Sequence, residues 1–112
     1  MAFSATLTMD SGIAKITMAG ELDASMAPTF QREVEQAAEQ QAKRLVLLMS
    51  ELEYIASAGL RTLIFARQKM ASGVDIYVVG AQQQVMDTIK MTGFDRSIIV
   101  LDTYDAEIIE NI

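Results

Sequence analysis

The sequence predicts an α/β fold: a mostly parallel sheet of four to five strands, opened by an N-terminal β-hairpin and carrying about four helices, in the order β-β-α-β-α-β-α-β-α. Three observations carry this. Two period-two segments flank Asp10-Ser11-Gly12, as in a hairpin. The rest of the chain alternates helical-period segments with short apolar runs. One such run, Leu45 to Met49, has no polar alternation, which suits a strand covered on both faces. At 112 residues, residues 1–112 read as a single domain with no linker and no internal repeat.

Phe3, Ala5, Leu7 and Met9 alternate with Ser4, Thr6 and Thr8, the pattern of a half-buried strand. Ala14, Ile16 and Met18 alternate with Lys15 and Thr17 in a returning strand that Gly20 is expected to break. Ser25 is placed to cap a helix reaching about Ala42, with Pro28, the chain's single proline, at its third position and Ala27, Phe30, Val34, Ala37 and Ala38 on one face. After the Leu45 strand, residues 50–57 read as a loop at a strand's carboxyl end, where ligands and partners meet sheets of this type. A helix from about Ala58 to Ala71 follows, with Leu60, Leu63, Ile64 and Ala71 on its inner face. Val74 to Val79 is the next strand, and Gln82 to Thr92 a short helix with Val85, Met86 and Ile89 inward and Gly93 as its stop. Ile98 to Leu101 reads as a last buried strand, and Asp102 or Thr103 as the cap of a final helix carrying Ala106, Ile108 and Ile109. The eight methionines fit core filling better than a binding patch, since Met9, Met18, Met49 and Met70 fall in apolar patterns.

Composition removes several function classes. Fifteen acidic residues against nine basic ones give a net charge of −6, which disfavours nucleic acid and anionic membrane surfaces as partners. Zero cysteines exclude disulfides, thiolate nucleophiles and zinc-thiolate sites, and zero histidines remove the commonest general base and metal ligand. No catalytic residue, metal or cofactor is therefore assigned. The opening MAFSATLTMD has no signal-peptide pattern and no apolar run approaches the ~20 residues of a membrane span, so a soluble, cytoplasmic protein without membrane insertion is expected, as a monomer or weak dimer.

The stretch Glu53-Tyr-Ile-Ala-Ser-Ala-Gly-Leu-Arg61 stands out. Ser57 at a helix start is first of all an N-cap, its hydroxyl accepting a backbone N–H. Capping does not explain Gly59, which costs the helix ~1 kcal/mol relative to alanine and points to a close approach to the backbone. A nucleophilic role lacks its parts. There is no leading glycine of a G-x-S-x-G elbow, no histidine, and Lys69 lies about three turns away. No phosphate-binding glycine loop is present either. Ser57 fits better as a substrate: a hydroxyl between alanines gives a kinase room, and a helix N-terminus tolerates the about −1.5 to −2 charges of a phosphate.

These residues resemble the STAS domains, and within them the single-domain anti-sigma factor antagonists of bacteria. Gly20-Glu-Leu-Asp23 is similar to the family's G-x-L-D, and Leu52 to Leu60 to its L-x-[YF]-[IM]-[DS]-S-[SA]-G-L segment. Val79-Gly80 and Met91-Thr-Gly-Phe94 match later landmarks, so the likeness runs nearly end to end. The family often has Asp or Ser where Ala56 stands and an acidic residue where Leu48 stands. The resemblance implies a non-enzymatic partner switch. The serine matching Ser57 is phosphorylated by an anti-sigma factor that is itself a GHKL-type serine kinase, and a PP2C-type phosphatase reverses this. The unphosphorylated form binds the anti-sigma factor, and phosphorylation releases it. Glu21 and Asp23, which also read as ordinary turn residues, are expected near Ser57. With Ala56, Ala58, Gly59, Arg61, Thr62 and an outward Phe65 they form the expected partner-binding surface. Two alternatives remain: a STAS accessory subunit of a lipid-trafficking ABC transporter that binds its ATPase, and a nucleotide- or small-molecule-sensing domain.

Overall fold

A computed structural model describes residues 2–111. Strands β1 (Ser4–Asp10) and β2 (Ile13–Leu22) form the antiparallel hairpin. Its two turn residues, Ser11 and Gly12, both have positive φ, 54° and 85°, the backbone that matches the twist of a two-residue hairpin. Helix α1 (Ala27–Glu39), β3 (Arg44–Ile55), α2 (Ser57–Lys69), β4 (Asp75–Val79), α3 (Gln83–Met91), a 3-10 turn (Phe94–Ser97), β5 (Ile99–Leu101) and α4 (Ala106–Ile109) complete the chain. The sheet runs β1-β2-β3-β4-β5, parallel from β2 onward.

Because spatial order follows chain order, the three crossover helices lie on one face of the sheet. Phe30, Val34 and Ala37 of α1, Leu60, Leu63 and Ala66 of α2 and Val85 and Ile89 of α3 share one core with Ala14, Ile16, Met18, Leu45, Leu47 and Met49. The other face holds a smaller cluster of Ile13, Val46, Tyr77 and Val79, covered by Ile109. This explains the unbroken run in β3: Leu45, Leu47 and Met49 face the first core, Val46 and Leu48 the second.

Several boundaries differ from those read off the sequence. Gly20 does not end β2. It sits within the strand at φ 87°, where an added Cβ would lie 2.2 Å from the Ala2 carbonyl oxygen. Residues 50–55 are strand, not loop. Thr17 pairs with Leu48, Ala19 with Glu51 and Glu21 with Tyr54, so β3 carries an extra residue at each of two irregularities. Inward side chains then recur every third residue, Met49, Leu52 and Ile55, a spacing that hides the strand from a period-two reading.

Helix α1 is not capped by Ser25. Asp23 accepts hydrogen bonds from Ser25 Oγ at 2.7 Å and from the Met26 N–H at 3.1 Å, and Pro28 falls at the second helical position. The helix ends at Glu39 rather than Ala42, with Gln41 at φ 57°. Strand β5 is short and exposed, Ile99 and Val100 being 37% and 42% accessible, so it is an edge and not a buried strand. Asp105 caps α4, accepting from the N–H groups of Glu107 and Ile108, in place of Asp102 or Thr103. Helix α2 ends at Lys69 rather than Ala71; Ile64 within it is 41% exposed and Ala71 lies beyond it and is exposed, so neither lies on its inner face. Of the described methionines, Met18, Met49, Met70 and Met86 are buried, whereas Met91 is 86% exposed.

Candidate functional site

Beyond Leu48, β3 has lost β4 as a neighbour and pairs only with β2. The two strands form a tongue that ends at α2. Its open edge is partly closed by side-chain amides: Gln82 Nε2 donates to the Ser50 carbonyl at 3.0 Å and Gln84 Nε2 to the Glu53 carbonyl at 3.2 Å. At the tip the Ala56 N–H donates to the Leu22 carbonyl at 2.9 Å, which fixes Asp23 beside the residue before Ser57. Glu21 pairs in register with Tyr54 on the same tip and is exposed.

Ser57 is the first residue of α2, and Ala56, in extended conformation (φ −88°, ψ 171°), occupies the N-cap position with no side-chain bond. The expectation that Ser57 caps the helix is therefore corrected. Its hydroxyl is exposed and has no hydrogen-bond partner among the described residues. No acidic residue stands in the first turn of α2, so nothing there competes for the positive end of the helix.

The glycine two residues on has an internal reason. A Cβ on Gly59 would lie 2.9 Å from Leu22 Cγ, Leu22 Cδ2 and Ile55 Cγ1, so the close approach inferred from sequence is that of the protein's own core. Gly59 is buried, and clearance for a partner is not what it supplies. Thr62 is also inward: it is 4% exposed and its hydroxyl donates to the Ala58 carbonyl at 3.1 Å. Phe65 is half-buried against the first core instead of projecting outward. Ala56 and Ala58 are half-buried, and Arg61 is exposed. Leu48 packs on the second cluster, well back from the strand end.

Sequence reasoning missed the residue that shares the outer stripe with Ser57. Ser57, Arg61, Ile64 and Gln68 recur at helical spacing and all are exposed, making Ile64 the apolar member of that stripe. The period is visible in the sequence, but a hydrophobic residue beside Leu60 and Leu63 reads as inward. Tyr54, 49% exposed, adds an aromatic at the tongue.

Asp23 is held ionised. The Ser25 hydroxyl bond lowers its pKa most, loss of solvent works against this, and the Met26 N–H lowers it further. Among the described residues no group of three or more His, Cys, Asp or Glu is arranged to hold a metal ion. No helix of the described chain is long and apolar enough to cross a membrane.

The site is thus an exposed hydroxyl at the first position of α2, next to the tip of the β2–β3 tongue, in an α/β domain. The sequence profile of the STAS domain matches residues 4–107, and the chain belongs to the STAS domain family. It is 24% identical over 98 residues to the anti-sigma-F factor antagonist RsfB of Mycobacterium tuberculosis, covering 88% of this chain and 80% of that protein. The fold is similar to that of an anti-sigma factor antagonist from Mycobacterium paratuberculosis, with a TM-score of 0.86, 21% identity and coverage of 96% and 92% of the two chains. It is also similar to SpoIIAA in its unphosphorylated form, with a TM-score of 0.74, 17% identity and coverage of 98% and 96%. For the phosphorylated form of that Bacillus cell fate determinant the TM-score is 0.70, at 15% identity and 98% coverage of both chains.

Proposed function

We propose that this protein is an anti-sigma factor antagonist that works by partner switching, with Ser57 as the phosphorylated residue. The observation that carries the reading is the exposed, unpartnered Ser57 hydroxyl at the first position of α2. Its unphosphorylated form binds an anti-sigma factor that is also an ATP-dependent serine kinase, and a phosphatase resets the switch. The exposed contacts are Ser57, Arg61 and Ile64 on α2 and Glu21, Asp23 and Tyr54 at the tongue tip; Ala56 and Ala58 leave the hydroxyl sterically open. A phosphate here meets free N–H groups of the first turn, so the domain keeps its fold while the surface gains charge that a bound partner must desolvate. Losing about 4 kcal/mol of interface energy weakens binding about a thousandfold. The protein itself performs no chemistry in this scheme.

The test has two parts. Intact mass after incubation with the cognate kinase and ATP is expected to show one added phosphate on wild type and none on Ser57→Ala. Affinity capture is expected to retain the anti-sigma factor on Ser57→Ala and lose it on Ser57→Asp. Equal labelling of wild type and Ser57→Ala, or equal capture by both variants, overturns the reading. Because the hydroxyl makes no bond, Ser57→Ala is expected to shift stability by less than about 0.5 kcal/mol, whereas loss of a capping serine costs roughly 0.5–2 kcal/mol.

A further inference from the structure

The two edges of the sheet are not alike. Strand β5 ends it with three residues, short enough to offer little to a further strand. Strand β1 ends it with seven, paired to β2 in unbroken register and without the lysine, proline or bulge that blunts an open edge. The two-residue turn at Ser11 and Gly12 makes Asp10 and Ile13 a hydrogen-bonded pair. Thr8, Thr6 and Ser4 therefore also bond to β2, and the N–H and C=O groups of Ala5, Leu7 and Met9 point away from it. None of these outward groups has a partner among the described residues. The side chains of Ala5, Leu7 and Met9 rest on the first core but are only half-buried, whereas Met18, Ile16 and Ala14 opposite them are 0% exposed. The core is open along this edge.

We infer that β1 pairs antiparallel with β1 of a second copy of this chain, about a two-fold axis at Leu7, joining two sheets into one. Self-complementarity decides the occupant. In this register Leu7 exchanges both backbone bonds with Leu7 of the second copy and Ala5 exchanges them with Met9, about six bonds in all. A shift by two residues in either direction leaves part of the strand unpaired. Apolar Ala5, Leu7 and Met9 meet only one another on the core face and close its open flank. On the other face Thr6 lies opposite Thr8 and Ser4 opposite Asp10, so the strand's single charge meets no like charge. The pairing is isologous and uses up the long edge of both copies, so it closes as a dimer. With about 24 Å of strand contact between copies that each carry −6, that dimer is weak, below the size of a standard interface. None of the residues assigned to partner binding lies in β1, and the inference does not depend on the role of Ser57.

Sedimentation of the full chain from about 10 μM to about 1 mM is expected to show a reversible monomer–dimer equilibrium. Hydrogen exchange followed by NMR over the same range is expected to slow with concentration at the amides of Ala5, Leu7 and Met9, and not at Thr6 and Thr8, whose N–H groups already bond to β2. The double variant Thr6→Glu/Thr8→Glu sets like charges opposite each other across the two-fold, while Thr8 faces Lys15 within the chain, so the monomer tolerates it. It is expected to weaken dimerisation about tenfold. Thr6→Lys/Thr8→Lys is expected to weaken it likewise, and an equimolar mixture of the two variants to restore the dimer. Ala5→Pro removes an outward N–H and no bond to β2, and is expected to abolish dimerisation while keeping the wild-type amide pattern of β2 to β5. The inference is overturned if the chain stays monomeric up to about 1 mM, or if the concentration-dependent amides lie elsewhere, as on α2 or β5. It is overturned as well if the acidic and basic variants each dimerise as tightly as wild type, or if mixing them restores nothing.

Discussion

Gly59 shows how one residue can satisfy two readings that differ in consequence. An alanine there gains about 1 kcal/mol of helix propensity. It also places a methyl 2.9 Å from the fully buried Leu22 and from the buried Ile55. Overpacking of this kind costs typically 1–3 kcal/mol, so the clash wins. Net of that gain, Gly59→Ala is expected to lower stability by up to roughly 2 kcal/mol in urea denaturation. Gly73, whose added Cβ would meet nothing within 4 Å, is the control. Gly73→Ala is expected to be neutral or to stabilise by about 0.4–1 kcal/mol through the unfolded chain. A midpoint raised as far as helix propensity alone predicts would show that the core accommodates the methyl.

At the scale of elements, the segment after β5 is a strap held by polar contacts on an apolar seat. Tyr104 donates its hydroxyl to Glu110, Lys15 stacks on the Tyr104 ring, and Arg44 donates to the Asn111 carbonyl at 3.2 Å and to Asp75 at 3.0 Å. Lys15 has a raised pKa, from its hydrogen bond with Tyr104 first, with burial opposing and the Tyr104, Glu110 and Asp10 charges adding. Tyr104 is raised by burial first and then by its bond to Glu110. Both groups keep their protonated forms longer in the folded chain. Their contribution is therefore complete below the unfolded values, near pH 10, and is lost as pH rises through the folded ones. Tyrosinate absorbance of wild type minus Tyr104→Phe is expected to titrate above the ordinary tyrosine range. Wild type should also lose more stability than Tyr104→Phe on going from neutral to strongly alkaline pH. A difference titration at the ordinary value would dismiss the strap contacts as solvent-exposed and interchangeable.

For the whole molecule, what was legible in the sequence is what local periodicity can encode. The hairpin, the alternating helices and strands, and the two-faced run Leu45 to Met49 all follow from side-chain spacing, and so does the placement of Ser57 at a helix start. What was not legible depends on contacts distant in sequence. The bulges in β3 are imposed by its pairing with β2, Gly20 by the backbone of Ala2, and Gly59 by Leu22. The exposure of Ile64 depends on which side of α2 meets the sheet.

The same topology divides stability unequally between the two faces. A large core under three helices and a small one under a four-residue helix are not expected to open together. Leu47→Ala removes a fully buried side chain from the large core and is expected to cost about 2–5 kcal/mol and lower protection throughout the sheet. Ile109→Ala removes an equally buried side chain, but Ile109 itself belongs to a strap that can detach from Ile13, Val46, Tyr77 and Val79 without unthreading a strand. Native-state hydrogen exchange at neutral pH separates the two. In Ile109→Ala the amides of Ile109 and Glu110, bonded to Asp105 and Ala106, and of Gly80, bonded to Leu101, are expected to exchange faster, while those of β2 and β3 stay at wild-type rates. If β2 and β3 lose protection by the same factor as the strap, the two faces form one cooperative unit. The small core then stabilises the whole domain as much as the large one does.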